Sequence, residues 1–208
     1  MIKNNRIRSI LILLATAIIL AGCSDKDEKM AYYDKAKNCY NNNEFLCAKI
    51  ALEKAVEIDP EFAGAYANLG EVYLKLGKVS ESLNAYIKAA ELAPDQPEVQ
   101  IKLATLYMLN RKTVRAKKIL EKILDNNPDN MTANYLLAEF FEMEKDFDRS
   151  AQLFKTIINK DHSQIRAYLS LAALLIKKGR YDEAEISLKS AQTNIPSSLH
   201  TIIAIFDL

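Results

Sequence analysis

The sequence predicts an all-α solenoid of five 34-residue helix-turn-helix repeats, 29–62, 63–96, 97–130, 131–164 and 165–198. Three observations carry this. Apolar residues recur at spacings of three and four, the period of a helix and not of a strand. Pro60, Pro94, Pro128 and Pro196 share one register of 34, with His162 standing in the remaining place. Small residues keep the same register, Ala36, Gly70, Ala104, Ala138 and Ala172 in the first helix of each pair and Ala48, Ser82, Ala116, Ser150 and Ala184 in the second. A bulky residue follows four places on, at Leu52, Tyr86, Leu120, Phe154 and Leu188. Small residues let helix axes approach, and one such hairpin cannot bury its apolar face without copies beside it.

The elements follow in order. Lys3, Arg6 and Arg8 precede an apolar run, Ile10 to Leu20, too short for a comfortable membrane span, so 1–22 reads as a signal peptide. Residues 23–28 are Cys23 and a short polar tether. In repeat 1, Cys39 and Cys47 flank one turn near Asn41–Glu44. A disulfide there would staple the hairpin in an oxidising compartment, and two free buried thiols fit the sequence equally, because their separation is not legible from it. In repeat 2, Gly77 ends the first helix and Pro94 stops the second. Repeat 3 carries Arg111, Lys112, Arg115, Lys117, Lys118 and Lys122 among apolar residues, the pattern of a solvated helix face rather than a patch for anionic polymer.

Repeat 4 is rich in aromatics, Tyr135, Phe140, Phe141, Phe147 and Phe154, read as core for all but Tyr135. His162 reads as a turn residue, since no Cys, Asp or second His makes metal-ligand spacing with it. Repeat 5 restores the pattern with Tyr168, Leu171, Ala172, Gly179 and Pro196. The apolar tail 199–208 is expected to be a partial sixth repeat or a short cap.

These residues resemble tetratricopeptide repeats (TPRs), with Tyr66, Leu69, Gly70, Tyr73, Ser82, Tyr86, Ala89 and Pro94 carrying the pattern in repeat 2. The resemblance implies a right-handed superhelix whose concave groove is lined by the first helix of each pair. By position, the groove residues are Met30, Tyr33 and Tyr40, then Glu71 and Leu74, then Ile101 and Met108. Repeat 4 adds Tyr135, Glu139 and Glu142, and repeat 5 adds Arg166 and Leu169. That mixture, apolar and aromatic with central acids, suits a helix or extended segment of a protein partner. The Lys/Asn carboxylate clamp of some relatives is not matched, because Tyr33 and Lys37 occupy its places.

Leu20-Ala21-Gly22-Cys23 resembles the bacterial lipobox, which implies cleavage before Cys23 and acylation of that residue. Ser24 after it implies the outer membrane, facing the periplasm. The expected function is a lipid-anchored periplasmic scaffold for envelope assembly, polysaccharide export or secretion. Two neighbourhoods fit, the repeat lipoproteins of exopolysaccharide and exosortase-type systems and the pilotin-like lipoproteins of type IV pilus and secretin assembly. The alternative is a polysaccharide-binding module with Tyr33, Tyr40 and Tyr135 as stacking platforms.

Composition excludes other classes. Lys and Arg number 28 against 27 Asp and Glu, which makes no electrostatic case for nucleic acid. His162 and His200 are the only histidines, and neither sits in a nucleophile–base arrangement. No glycine-rich phosphate loop occurs. Neither an enzyme, a cofactor nor a metal is expected.

Overall fold

The computed structural model describes residues 27–195; the signal peptide, Cys23 and the tail 199–208 lie outside the described residues. Among those residues there are ten α-helices and no strand. They are α1 (27–41), α2 (Phe45–Ile58), α3 (Ala63–Lys75), α4 (Val79–Leu92) and α5 (Pro97–Leu109), then α6 (Thr113–Asn126), α7 (Met131–Met143), α8 (Phe147–Lys160), α9 (Ile165–Lys177) and α10 (Tyr181–Asn194). Asp27 and Glu28, expected in the tether, are already helical. The chain forms two compact units that divide between Val99 and Gln100, in the first turn of α5.

Helices of 13 or 14 residues are marginal alone, so packing must hold them. Side-chain caps add to it at α7 and α8: Asn130 Oδ1 accepts from the Ala133 N–H at the start of α7, and Asp146 Oδ1 from the Arg149 N–H at the start of α8. The core of the first unit is built on Ala36, Ala48, Leu52, Ala55, Leu69 and Val72. That of the second gathers Ala138, Phe154, Ile157, Leu171, Ala172 and Leu174. The small-residue register is therefore the contact register, and each of its ten positions is buried.

The first turn of every repeat has one backbone. In repeat 2 the Gly77 N–H bonds the Leu74 carbonyl and the Lys78 N–H bonds the Tyr73 carbonyl, at 3.0 and 2.8 Å. This pairing closes a helix on a left-handed residue. The same bonds recur at Asn43, Arg111, Lys145 and Gly179, and all five residues have φ between 56° and 72°. Glycine is at ease there, whereas a side chain at such a φ costs about 1–2 kcal/mol. The second turn, before the next repeat, rests on an Asx residue at Asp59, Asn127 and Asp161, while Ala93 holds that place between repeats 2 and 3. Asp161 makes up for the missing proline in repeat 4: its carboxylate accepts from Gln164 Nε2 and Ser163 Oγ, both at 2.7 Å, and from the Ser163 N–H at 2.9 Å. These donors, Gln164 foremost, hold its pKa down at about 2.

Within each hairpin, sizes are matched across the helix contact. A methyl on Gly70 would lie 2.5 Å from the Tyr86 ring, while Ser82 Oγ donates to the Gly70 carbonyl at 2.7 Å. Gly70→Ala is expected to destabilise by about 1–3 kcal/mol through that overlap, although Ala is the better helix former. Tyr86→Leu in the same chain should recover most of the loss, because Ala36 with Leu52 and Ala104 with Leu120 already combine those sizes. Thermal melts of the four variants give the coupling. Ser150 occupies the Ser82 position in repeat 4, yet its buried hydroxyl has no partner. Ser150→Ala should therefore raise the melting temperature, by about 1 kcal/mol of stability.

Candidate functional site

Each unit has a concavity on its first-helix faces. That of the first unit holds about 450 Å³ and is lined by Tyr33, Lys37, Tyr40, Asn68 and Glu71. Successive turns of α1 present Tyr33, Lys37 and Tyr40 on one stripe. The Lys37 ammonium stands 4.3 Å above the Tyr33 ring, whose centroid lies 4.7 Å from that of Phe62. Tyr40 packs edge-on against Phe45 at 5.5 Å. Across from them, Glu71 accepts the Tyr86 hydroxyl at 3.0 Å, and burial with that neighbouring charge pushes the phenol's pKa far up. Tyr33, Tyr40 and Glu71 thus converge, whereas Met30 and Leu74 lie outside the lining.

The second unit's concavity is larger, about 800 Å³, and Met108, Glu139 and Glu142 line it. Its floor and rim add Leu136, Phe147, Leu109 and Met143, the last two 72 and 52 % exposed. Glu139 pairs with Arg166, and Glu142 with Lys177. The acids expected at the centre of the groove are therefore already answered by cations of α9. Arg111 and Lys145, from two of the left-handed turns, complete the rim. Arg111, expected on a solvated face, is exposed, and it stands at the edge of this concavity.

Tyr135, expected on the groove surface, is not there. Tyr135 is buried: its ring meets Phe154 edge-on at 6.0 Å, Arg166 covers it at 5.0 Å, and its hydroxyl reaches Gln164 Oε1 at 3.5 Å. It is a core residue, because α9 brings a long side chain over the face that α7 alone would have left open. Burial accordingly raises its pKa. Met108 lines the concavity but is itself buried among its neighbours. Ile101, Arg166 and Leu169 lie outside the lining, Arg166 as the partner of Glu139.

Cys39 and Cys47 form a disulfide, with Cα atoms 5.8 Å apart. Glu44 lies with them in one group of metal-ligand spacing, within 4.8 Å. Both sulfurs are spent in the bond, so neither is the thiolate that a metal needs. Residues missed in sequence include Leu109, Leu136, Met143 and Lys145 in the second unit and Asn68 in the first. A signal existed for Lys145: Gly77 and Gly179 mark its slot, and a lysine there departs from what the backbone prefers.

No curated protein matches the sequence. Among solved structures, a crystal structure of MamA protein shares 21% identity at a TM-score of 0.74, covering 81% of this chain and 92% of that one. YrrB, described as a TPR protein with an unusual peptide-binding site, shares 20% at 0.70, covering 90% and 97%. PilF of Pseudomonas aeruginosa shares 20% at 0.68, covering 82% and 78%. At these identities the likeness is one of fold, an all-α TPR array. A single tetratricopeptide repeat matches residues 165–197. A second profile matches 31–149, more than half of the sequence, and with it the chain belongs to the family described as cytochrome c-type biogenesis protein H TPR domain.

Proposed function

We propose that this protein is a lipid-anchored scaffold of the bacterial periplasm that docks a protein segment on its first-helix faces during envelope assembly. The carrying observation is the second unit's concavity, where Leu109 and Met143 stand in solvent beside an apolar floor. Long apolar side chains left in water around a groove mark a docking surface. The peptide-binding site named for YrrB, the biogenesis named in the family's description and the likeness to PilF support the same direction. Acyl chains on Cys23 would supply the anchor, since each buried methylene contributes about 0.8 kcal/mol and two or more chains make attachment stable.

The glycan alternative is weakened at its own residues. Tyr135 is in the core, and Lys37 sits over the Tyr33 ring that a sugar would stack on.

Site-directed photocrosslinking in cells tests the scaffold reading. A photoreactive residue at Leu109 or Tyr40 should capture one envelope protein, identified by mass spectrometry, while the same residue at exposed Ile50 of α2 should not. Equal capture from Ile50, or none from Leu109, refutes it. The anchor is tested by the mass of the N-terminal peptide, which should begin at Cys23 and carry acyl chains.

A further inference from the structure

We propose that the second unit's concavity takes a segment alternating apolar side chains with carboxylates, the carboxylates being held by Arg111 and Lys145. The inference rests on the groove reading above and names the chemistry of the occupant. Its apolar half follows from the floor and from exposed Leu109 and Met143. Its acidic half follows from charge. Glu139 and Glu142 are occupied by Arg166 and Lys177, so they offer little to a basic ligand.

Arg111 and Lys145 are the reverse case. Among the described residues neither side chain has an ion pair or a hydrogen bond. Both occupy the left-handed turn slot, at φ 56° and 60°, where repeats 2 and 5 use Gly77 and Gly179. The backbone disfavours them there, the fold gives them no partner, and both line one concavity. A guanidinium and an ammonium held open beside an apolar slot complement a carboxylate-bearing segment, with the guanidinium able to take it in a forked pair. Unpaired rim cations also steer an acidic partner in and reject a basic one.

The test uses the mature chain and a short fluorescent peptide of alternating leucine and glutamate, with glutamine and lysine counterparts, read by anisotropy. The glutamate peptide should bind about tenfold tighter than the glutamine one at low salt, with the gap closing as salt rises, and the lysine peptide should not bind. A double variant, Arg111→Gly with Lys145→Gly, should melt no lower than the wild type and lose the preference for glutamate. Equal binding of glutamate and glutamine peptides, a preference that survives in the double variant, or no binding by any peptide overturns the proposal. If the glutamate and glutamine peptides bind equally and Leu109→Ser with Met143→Ser abolishes both, the groove reading stands while the carboxylate assignment falls. If that variant still binds them, both fall.

Discussion

Phe154→Ala is expected to remove about 3–5 kcal/mol of stability, the largest loss from any single truncation in the second unit. Phe154 is 1 % exposed and sits in α8 between the helices before and after it, with Tyr135 edge-on at 6.0 Å. Its removal forfeits the transfer of a large ring and leaves a cavity that Ala138 and Ala172, already minimal, cannot fill. Phe154→Leu should cost only about 1 kcal/mol, because Leu52 and Leu120 occupy the same register in other repeats. Stability in repeat arrays is local, so hydrogen exchange is the better probe than a single melting curve. Protection should fall across α7 to α9 and stay unchanged in α1 and α2. A loss below about 1 kcal/mol would mean that the site collapses around the missing ring, contrary to the packing described.

Breaking the Cys39–Cys47 bond is the second large effect. With a sequence separation of 8, the closed loop is short, and its constraint on the unfolded chain is worth about 2–3 kcal/mol in the chain-entropy account. Cys39→Ser with Cys47→Ser, or reduction by a dithiol, should therefore lower the stability of α1 and α2 by that amount. The loss falls on the repeat that also carries Tyr33 and Tyr40, so the first unit's concavity should loosen with it. Amide exchange in α1 should quicken while α9 and α10 hold. Unchanged exchange in α1 would show that packing on Ala48, Leu52 and Leu69 suffices without the bridge. Such a bond persists in oxidising compartments, which suits the proposed periplasmic site.

The helices were legible because a register of 34 fixes everything local: the turn residues, the small contact positions and the bulky residue four places on. α3, α5, α7 and α9 begin at 63, 97, 131 and 165, and α4, α6, α8 and α10 at 79, 113, 147 and 181. The site was less legible because exposure is set by the next helix, not by register. Tyr33 and Tyr135 hold equivalent positions, yet Gly64 follows one and Arg166 lies over the other. Lys37, placed by the sequence only where a clamp residue would stand, lines the first unit's concavity with its ammonium over the Tyr33 ring. The state of Cys39 and Cys47 needed the geometry of the left-handed turn at Asn43, which brings the end of α1 over the start of α2. Arg111 and Lys145 were hidden in plain composition, where surface cations are commonplace.

The matched couples inside the hairpins bear on how such a chain can change over time. Gly70 goes with Tyr86 and Ala138 with Phe154, whereas the turn that joins the two members has nearly one shape throughout. Recombination that moves an entire hairpin carries both halves of a couple and meets a familiar junction at either end. Exchange of a lone helix sets an alanine against the tyrosine ring. Duplication and shuffling in this lineage should thus proceed in whole hairpins, leaving the rim residues of each copy free to diverge toward new occupants.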